Sequence, residues 1–413
     1  MTDMGGQVAA PGEQVPSPQE WRGVRGVLRD QRMELGRAAA RLYTGLPRAA
    51  GTDLLARPEW LPAAPVSLHE LPLSWQDEPP APVIDPGGPL TGHVRPWLAA
   101  AGVPAEGGEP DGEEPGGGQP GAGAAGGQYR SYAGAVGALD RPGLFEDRVC
   151  YRLLAARLAG EPGLAFGACR YFDGVNLGHA VAHELAAAWP GGPGGLTLDG
   201  LPLRAAAGDP CDLVRRPATV AVATLTLRRG PGGEASFLLH WRDPARVNHA
   251  GGLYQVMPAG MFQPVTDAPA ALRSDLSLWR CMVREFSEEL LGTAEDYPTS
   301  GGVLDYEGWP FCRRLAAARA AGALGVWCVG AGVDPLTLAT DILTVAVFDA
   351  GVFDSLFAGL VAGNAEGRVV VRDGSAAIPF TGTMVQQFTD GTEPVQAAGA
   401  ALDRKSTRLN SSH

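Results

Sequence analysis

The sequence predicts an α+β fold, a mixed sheet sandwiched between helices and preceded by a mainly helical N-terminal region. Three observations carry this prediction. A β-favouring run with Val220, Val222, Leu225 and Leu227 is followed by the turn Arg229-Gly230-Pro231-Gly232-Gly233 and a second apolar run at 235–241, the pattern of a hairpin. Beyond it, short apolar runs alternate with segments of helical periodicity, so strands and helices interleave. Ahead of it, Trp21, Val24, Leu28, Leu35 and Leu42 recur at roughly helical spacing.

Taken in order, residues 20–43 read as helical, although Gly23, Gly26 and Gly36 weaken a helix. Arg22, Arg25, Arg29, Arg32, Arg37, Arg41 and Arg48 make this stretch basic, a pattern that suits phosphate contacts to DNA or a solvated helix face. Pro58, Pro62 and Pro65 then break any helix, and 1–78 forms one N-terminal region. Residues 79–127 read as a linker whose second half is nearly all Gly, Pro, Ala and acid, too poor in apolar surface to order. A mainly helical segment is expected at 128–211, with helices at 144–158 and 175–189 and a strand or turn at 164–172 between them. His179, His183 and Glu184 fall on the second helix; two histidines at i and i+4 suit Zn²⁺, but the third ligand is missing and a packed pair is the plainer reading. Asp173 is placed to cap that helix. The C-terminal domain, 212–402, adds strands at 253–256, 325–330, 343–348 and 368–371 and a helix at 352–362.

Composition narrows the class. The 413 residues are 45% hydrophobic and 7% aromatic, enough for a large core in two or three domains. Net charge is −12, which argues against indiscriminate binding of nucleic acid. No apolar run reaches bilayer length and residues 1–18 lack a secretory core, so a cytoplasmic protein is expected. Six scattered cysteines without a CxxC pair are expected to be reduced and buried. Lys405 is the only lysine, and 405–413 lack the Ala/Gly/Arg bias of the rest. That ending resembles translated sequencing-adapter sequence, so 403–413 is set aside as a non-native tail; the remaining bias suggests a GC-rich bacterial genome.

The chemistry concentrates in Arg284-Glu285-Phe286-Ser287-Glu288-Glu289-Leu290-Leu291-Gly292. At about 100° per residue, Trp279, Met282, Val283, Phe286 and Leu290 form one apolar stripe, while Glu285, Glu288 and Glu289 gather on a different face. Three crowded carboxylates repel one another unless a cation sits among them, and Mg²⁺ or Mn²⁺ favours carboxylate oxygen while leaving positions for phosphate oxygens. The alternative is a solvated acidic face.

These nine residues, with Tyr254-Gln255-Val256-Met257-Pro258-Ala259-Gly260 upstream, resemble the box of the Nudix hydrolases: Gly, five residues, Glu, seven residues, then Arg-Glu-apolar-any-Glu-Glu-any-Gly. The chain departs from the pattern in three places. Arg284 follows Gly260 by 24 positions instead of 14, an insertion of ten. Counting back from Arg284 puts Leu276 where the first Glu belongs, with Asp275 beside it as a substitute. The closing glycine, Gly292, comes one residue late. The resemblance covers about half the chain and implies a Nudix-like α/β/α sandwich that hydrolyses a nucleoside diphosphate linked to another moiety. It assigns Glu285, Glu288 and Glu289 to a Mg²⁺ or Mn²⁺ ion, Glu288, Glu289 and Arg284 to the catalytic machinery, with Arg284 orienting a glutamate, and Gly260 to the substrate loop. A second reading keeps the nucleotide ligand and drops turnover: a sensor whose N-terminal region binds DNA or protein.

Overall fold

The computed structural model describes residues 17–49, 52–84, 129, 131–189, 191–192, 194–243, 246, 251–295, 297–363, 367–370, 377–389, 395–396 and 398–399. The chain opens with helices α1 (Pro18–Asp30) and α2 (Arg32–Arg41). Strands β1 (Val66–Ser67) and β2 (Leu73–Trp75) follow the proline-rich stretch. Next come α3 (Tyr132–Leu139), β3 (Val149–Arg157), β4 (Gly163–Arg170), α4 (Tyr171–Ala187) and α5 (Pro202–Ala207). The second half begins with β5 (Val220–Arg229), β6 (Ala235–Phe237), β7 (Leu239–Arg242), β8 (Tyr254–Val256) and β9 (Ala259–Met261). Helices α6 (Pro269–Ser274) and α7 (Leu278–Glu285) come next, and α7 runs into a π turn, Phe286–Leu290. The chain continues through β10 (Thr299–Ser300), β11 (Val303–Leu304), α8 (Pro310–Ala320), β12 (Leu324–Val333), β13 (Thr340–Asp349) and α9 (Ala350–Leu356). It closes with β14 (Gly367–Val369), β15 (Ile378–Pro379) and α10 (Gly382–Thr389).

The fold is α+β around a mixed sheet in the order β1-β12-β13-β5-β6-β15, with β9 joined to the lower half of β5. Only β13 and β5 run parallel, Thr340 opposite Val220 through Asp349 opposite Arg229; the other pairs in this sheet are antiparallel. Both faces of these central strands are apolar, as burial on two sides requires. One face (Val220, Val222, Ile342, Ala346, Phe348) packs on α7, α8 and α9. The other (Ala223, Leu225, Leu227, Leu343, Val345) packs on α10 and on β7 and β8 of a short sheet in the order β14-β7-β8. The hairpin read at 217–243 and the strands at 253–256, 325–330 and 343–348 are present, and the strand read at 368–371 is met by β14, residue 371 lying outside the described residues. The helix expected at 352–362 is shorter, ending at Leu356.

The segment 128–211 departs from expectation. The helix read at 144–158 is strand β3, paired antiparallel with β4 from Val149–Arg170 to Arg157–Gly163. Its Leu and Ala residues favour a helix in isolation, but Cys150, Tyr151, Leu153 and Leu154 are buried when extended. The helix expected at 175–189 begins earlier, at Tyr171, and Asp173 caps it by accepting the Arg170 N–H at 2.8 Å. Glycines let α4 lie close to the sheet: a Cβ at Gly174 would meet Thr219, and one at Gly178 would meet the Thr337 carbonyl.

The N-terminal helices pack against α4 through Leu28, Leu35, Ala39, Ala182 and Leu185, and β1 extends the central sheet by pairing with β12. Several of the N-terminal arginines serve the fold. Arg25 and Arg29 pair with Asp140, Arg22 donates to the Leu139 carbonyl, Arg32 faces Asp334 and Arg48 pairs with Asp53. Most of the linker read at 79–127 lies outside the described residues. Its first residues are packed in place, with Ile84 buried and its N–H donating to the Arg215 carbonyl. The tail at 403–413 also lies outside them. Among the described residues no helix is long and apolar enough to cross a membrane. All six cysteines are free thiols, five of them buried.

Candidate functional site

The acidic helix is fixed by its apolar stripe. Met282, Val283, Phe286 and Leu290 are fully buried, and the Phe286 ring meets Phe348 of β13 at 5.5 Å and Phe357 at 5.7 Å between centroids. Trp279, on the same stripe, is half-buried under the Arg319 guanidinium. Such aromatic contacts hold the helix rigidly against the sheet. The sequence prediction of a regular helix fails at its second half, where the π turn adds one residue to the ordinary turn. That extra residue explains the late glycine. Gly292, at φ +68°, ends the helix one place beyond the box pattern and donates to the Glu288 carbonyl.

The three glutamates are oriented by different neighbours. Glu285 lies over the edge strand β9, where an added Cβ on Gly260 would fall on its carboxyl group. Gly260 therefore makes room for Glu285. Glu289 is buried, and its Oε1 accepts the Ala259 N–H at 3.2 Å. Glu288 Oε1 accepts the Tyr297 hydroxyl at 2.6 Å; burial, followed by the charge of Glu288, pushes that phenol's pKa up. Gly260 and all three glutamates line one cavity of about 920 Å³. Among the described residues no three His, Cys, Asp or Glu side chains are already gathered tightly enough to hold an ion.

Arg284, expected to orient a glutamate, has an aspartate as its carboxylate partner. Its guanidinium is buried against Asp275 (3.7 Å), the Tyr306 hydroxyl and the Gln263 carbonyl (2.5 Å). Asp275, fully buried, accepts the Val265 N–H at 2.7 Å and the Tyr306 hydroxyl at 2.8 Å. The residue named as a substitute for the missing glutamate is thus the carboxylate that Arg284 holds. Together they pin both ends of the ten-residue insertion, whose middle is fastened to β3 by the Tyr151 hydroxyl donating to the Leu272 carbonyl at 3.0 Å.

The far wall of the cavity comes from elements that sequence reading did not connect to the site. Gly174, Val175, Leu177, Gly178 and His179 of α4 line it, with Arg216, residues 337–341 at the turn into β13 and, from the short sheet, Arg242 and Gln255. Asp341 is the residue missed. It is 1% exposed, and burial, reinforced by repulsion from Asp334, raises its pKa to about 8. The only sequence signal was one acid inside the apolar run 340–348.

The histidine pair on α4 divides. His179 lines the cavity. His183 packs under Trp21, its Nδ1 is 3.0 Å from the Tyr132 hydroxyl, and burial, helped by Arg25, lowers its pKa to about 3. It is a neutral core histidine. Glu184 accepts the Leu203 and Arg204 N–H groups at the start of α5.

No family model matches the chain, and no curated protein does. Among solved structures it pairs with a Nudix hydrolase from Alicyclobacillus acidocaldarius at 14% identity and a TM-score of 0.26, over 45% of this chain and 89% of that one. It also pairs with RenU, a Nudix hydrolase from M. smegmatis, at 16% identity and a TM-score of 0.21, over 47% of this chain and 86% of that one. Likeness at this level is too slight to bear on activity.

Proposed function

We propose that the chain is a Nudix-like, Mg²⁺- or Mn²⁺-dependent hydrolase of a nucleoside diphosphate linked to another moiety. The observation that carries this reading is that Glu285, Glu288 and Glu289 all face one large cavity, with Gly260 leaving the space that Glu285 fills. Three hard carboxylate donors match the taste of Mg²⁺ and Mn²⁺. Glu288 and Glu289 would hold the ion with Glu285 as a third ligand, and the ion when bound would neutralise phosphate charge and acidify water. The protein's own share is orientation. Ala259 N–H and the Tyr297 hydroxyl aim Glu289 and Glu288, while Arg284 and Asp275 fix the chain beyond Gly260. Arg148 and Arg242 bring positive charge to the cavity wall, where phosphate oxygens need partners.

The test is phosphate-product release from a panel of nucleoside diphosphate derivatives with Mg²⁺ or Mn²⁺, wild type beside Glu288→Gln/Glu289→Gln. Turnover that disappears in the double variant is the expected result. One observation favours the second reading, a nucleotide sensor with an N-terminal region that binds DNA or protein: no three acidic or metal-binding side chains among the described residues are gathered as they stand. Nucleotide binding with no turnover by wild type would replace the hydrolase with that sensor.

A further inference from the structure

The end of the cavity away from the glutamates has a chemistry of its own. Asp341, Ala221 and Met261 sit opposite one another on the adjacent strands β13, β5 and β9, and all three line the cavity. Two strand spacings put Asp341 about 10 Å from the β9 edge where Glu285 lies. Thr337 joins Asp341 from the turn before β13, and Gln255 faces the same cavity from the short sheet. Asp341, Thr337 and Gln255 are 1%, 3% and 4% exposed, yet Asp341 Oδ2, Thr337 Oγ1 and Gln255 Oε1 have no hydrogen-bond partner among the described residues. Buried polar atoms in native proteins are nearly always satisfied, so three in one cavity are matched to something the cavity receives.

The surroundings narrow that something. Val175, Leu177, Leu338 and Ala221 give this end apolar walls. Arg216, the cation beside it, directs Nε to the Pro210 carbonyl and Nη2 to the Thr340 hydroxyl. Apolar walls with a few buried polar atoms suit a flat, neutral ring that forms hydrogen bonds at its edge, better than a sugar that presents hydroxyls on every side.

We propose that Asp341, Thr337 and Gln255 form a subsite for the neutral, hydrogen-bonding edge of a planar nitrogen heterocycle, the nucleobase class. Asp341, as a carboxylic acid, offers a donor and an acceptor side by side to a ring nitrogen and a neighbouring N–H, and Gln255 Oε1 accepts a further N–H. The proposal rests on the reading that the glutamate end takes the phosphates, which leaves this end of the same cavity for the base.

The experiment is calorimetric titration of the full chain with adenosine, guanosine, cytidine and uridine, without metal and without phosphate. D-ribose 5-phosphate, and pyrophosphate with Mn²⁺, are titrated separately. At least one nucleoside should bind wild type. Asp341→Leu should weaken it tenfold or more, Gln255→Leu should weaken it as well, and Asp341→Asn, which keeps a donor and an acceptor, should stay within a few-fold. Thermal melting of each variant reports folding. Absence of nucleoside binding, binding of ribose 5-phosphate alone, equal binding by Asp341→Leu, or loss in Asp341→Asn with the fold intact would each overturn the proposal. Nucleoside binding by a wild type that ignores pyrophosphate and Mn²⁺ would keep this subsite and remove the hydrolase reading instead.

Discussion

Replacing Asp341 by asparagine tests the charge state on which the cavity's chemistry depends. Burial carries this carboxyl from the ordinary 3.8 to about 8, with Asp334 adding repulsion. A carboxyl whose pKa is raised on folding stabilises the protein fully below its unfolded value. That contribution is lost as pH rises through the folded value. Between pH 5 and pH 8 the unfolded chain has already released this proton while the folded chain still holds it. The stability from this one group then falls by about 1.4 kcal/mol per pH unit, levelling near pH 8, for a total of about 3 kcal/mol. Asparagine does not titrate. Subtracting its denaturant-unfolding free energy from that of wild type at each pH removes the other titrating groups, His183 included, and leaves Asp341. The difference should move against wild type by about 3 kcal/mol from pH 5 to pH 8. A difference that stays constant across this range would mean that Asp341 is ionised in the folded state, and the argument from burial would be wrong.

Two further substitutions probe the glutamate end. Gly260→Ala puts a methyl group where the Glu285 carboxyl sits, so it should cost about 1–3 kcal/mol in overpacking and weaken Mn²⁺ binding about tenfold; unchanged affinity in a titration would show that Glu285 is no ligand. Asp275→Asn removes the charge facing buried Arg284 and should destabilise by about 3 kcal/mol in chemical denaturation, with a loss below about 1 kcal/mol refuting their role as the anchor of the insertion.

What the sequence determined by itself is what short-range periodicity encodes. The stripe through Met282, Val283, Phe286 and Leu290 follows from helical geometry over a dozen residues and is buried in the structure, and Glu285, Glu288 and Glu289, read onto one helix face, line one cavity there. The hairpin at 217–243 was legible because a β-favouring run and a glycine turn suffice to specify one. The π turn was not legible, although the late Gly292 was its trace: its Phe286 and Leu290 fit the same apolar stripe that an ordinary helix would bury. Strand β3 was misread because Leu and Ala keep a helical preference until a partner strand and a core exist to override it. The pairing of Arg284 with Asp275 was not legible for a similar reason. Asp275 lies nine positions away, and only the fold of the insertion brings it into contact. Asp341 depended wholly on tertiary structure. An aspartate becomes an uncharged, unsatisfied group only when strands from distant parts of the chain exclude water around it, and exclusion of water is a property of the assembled sheet and helices that no stretch of sequence carries.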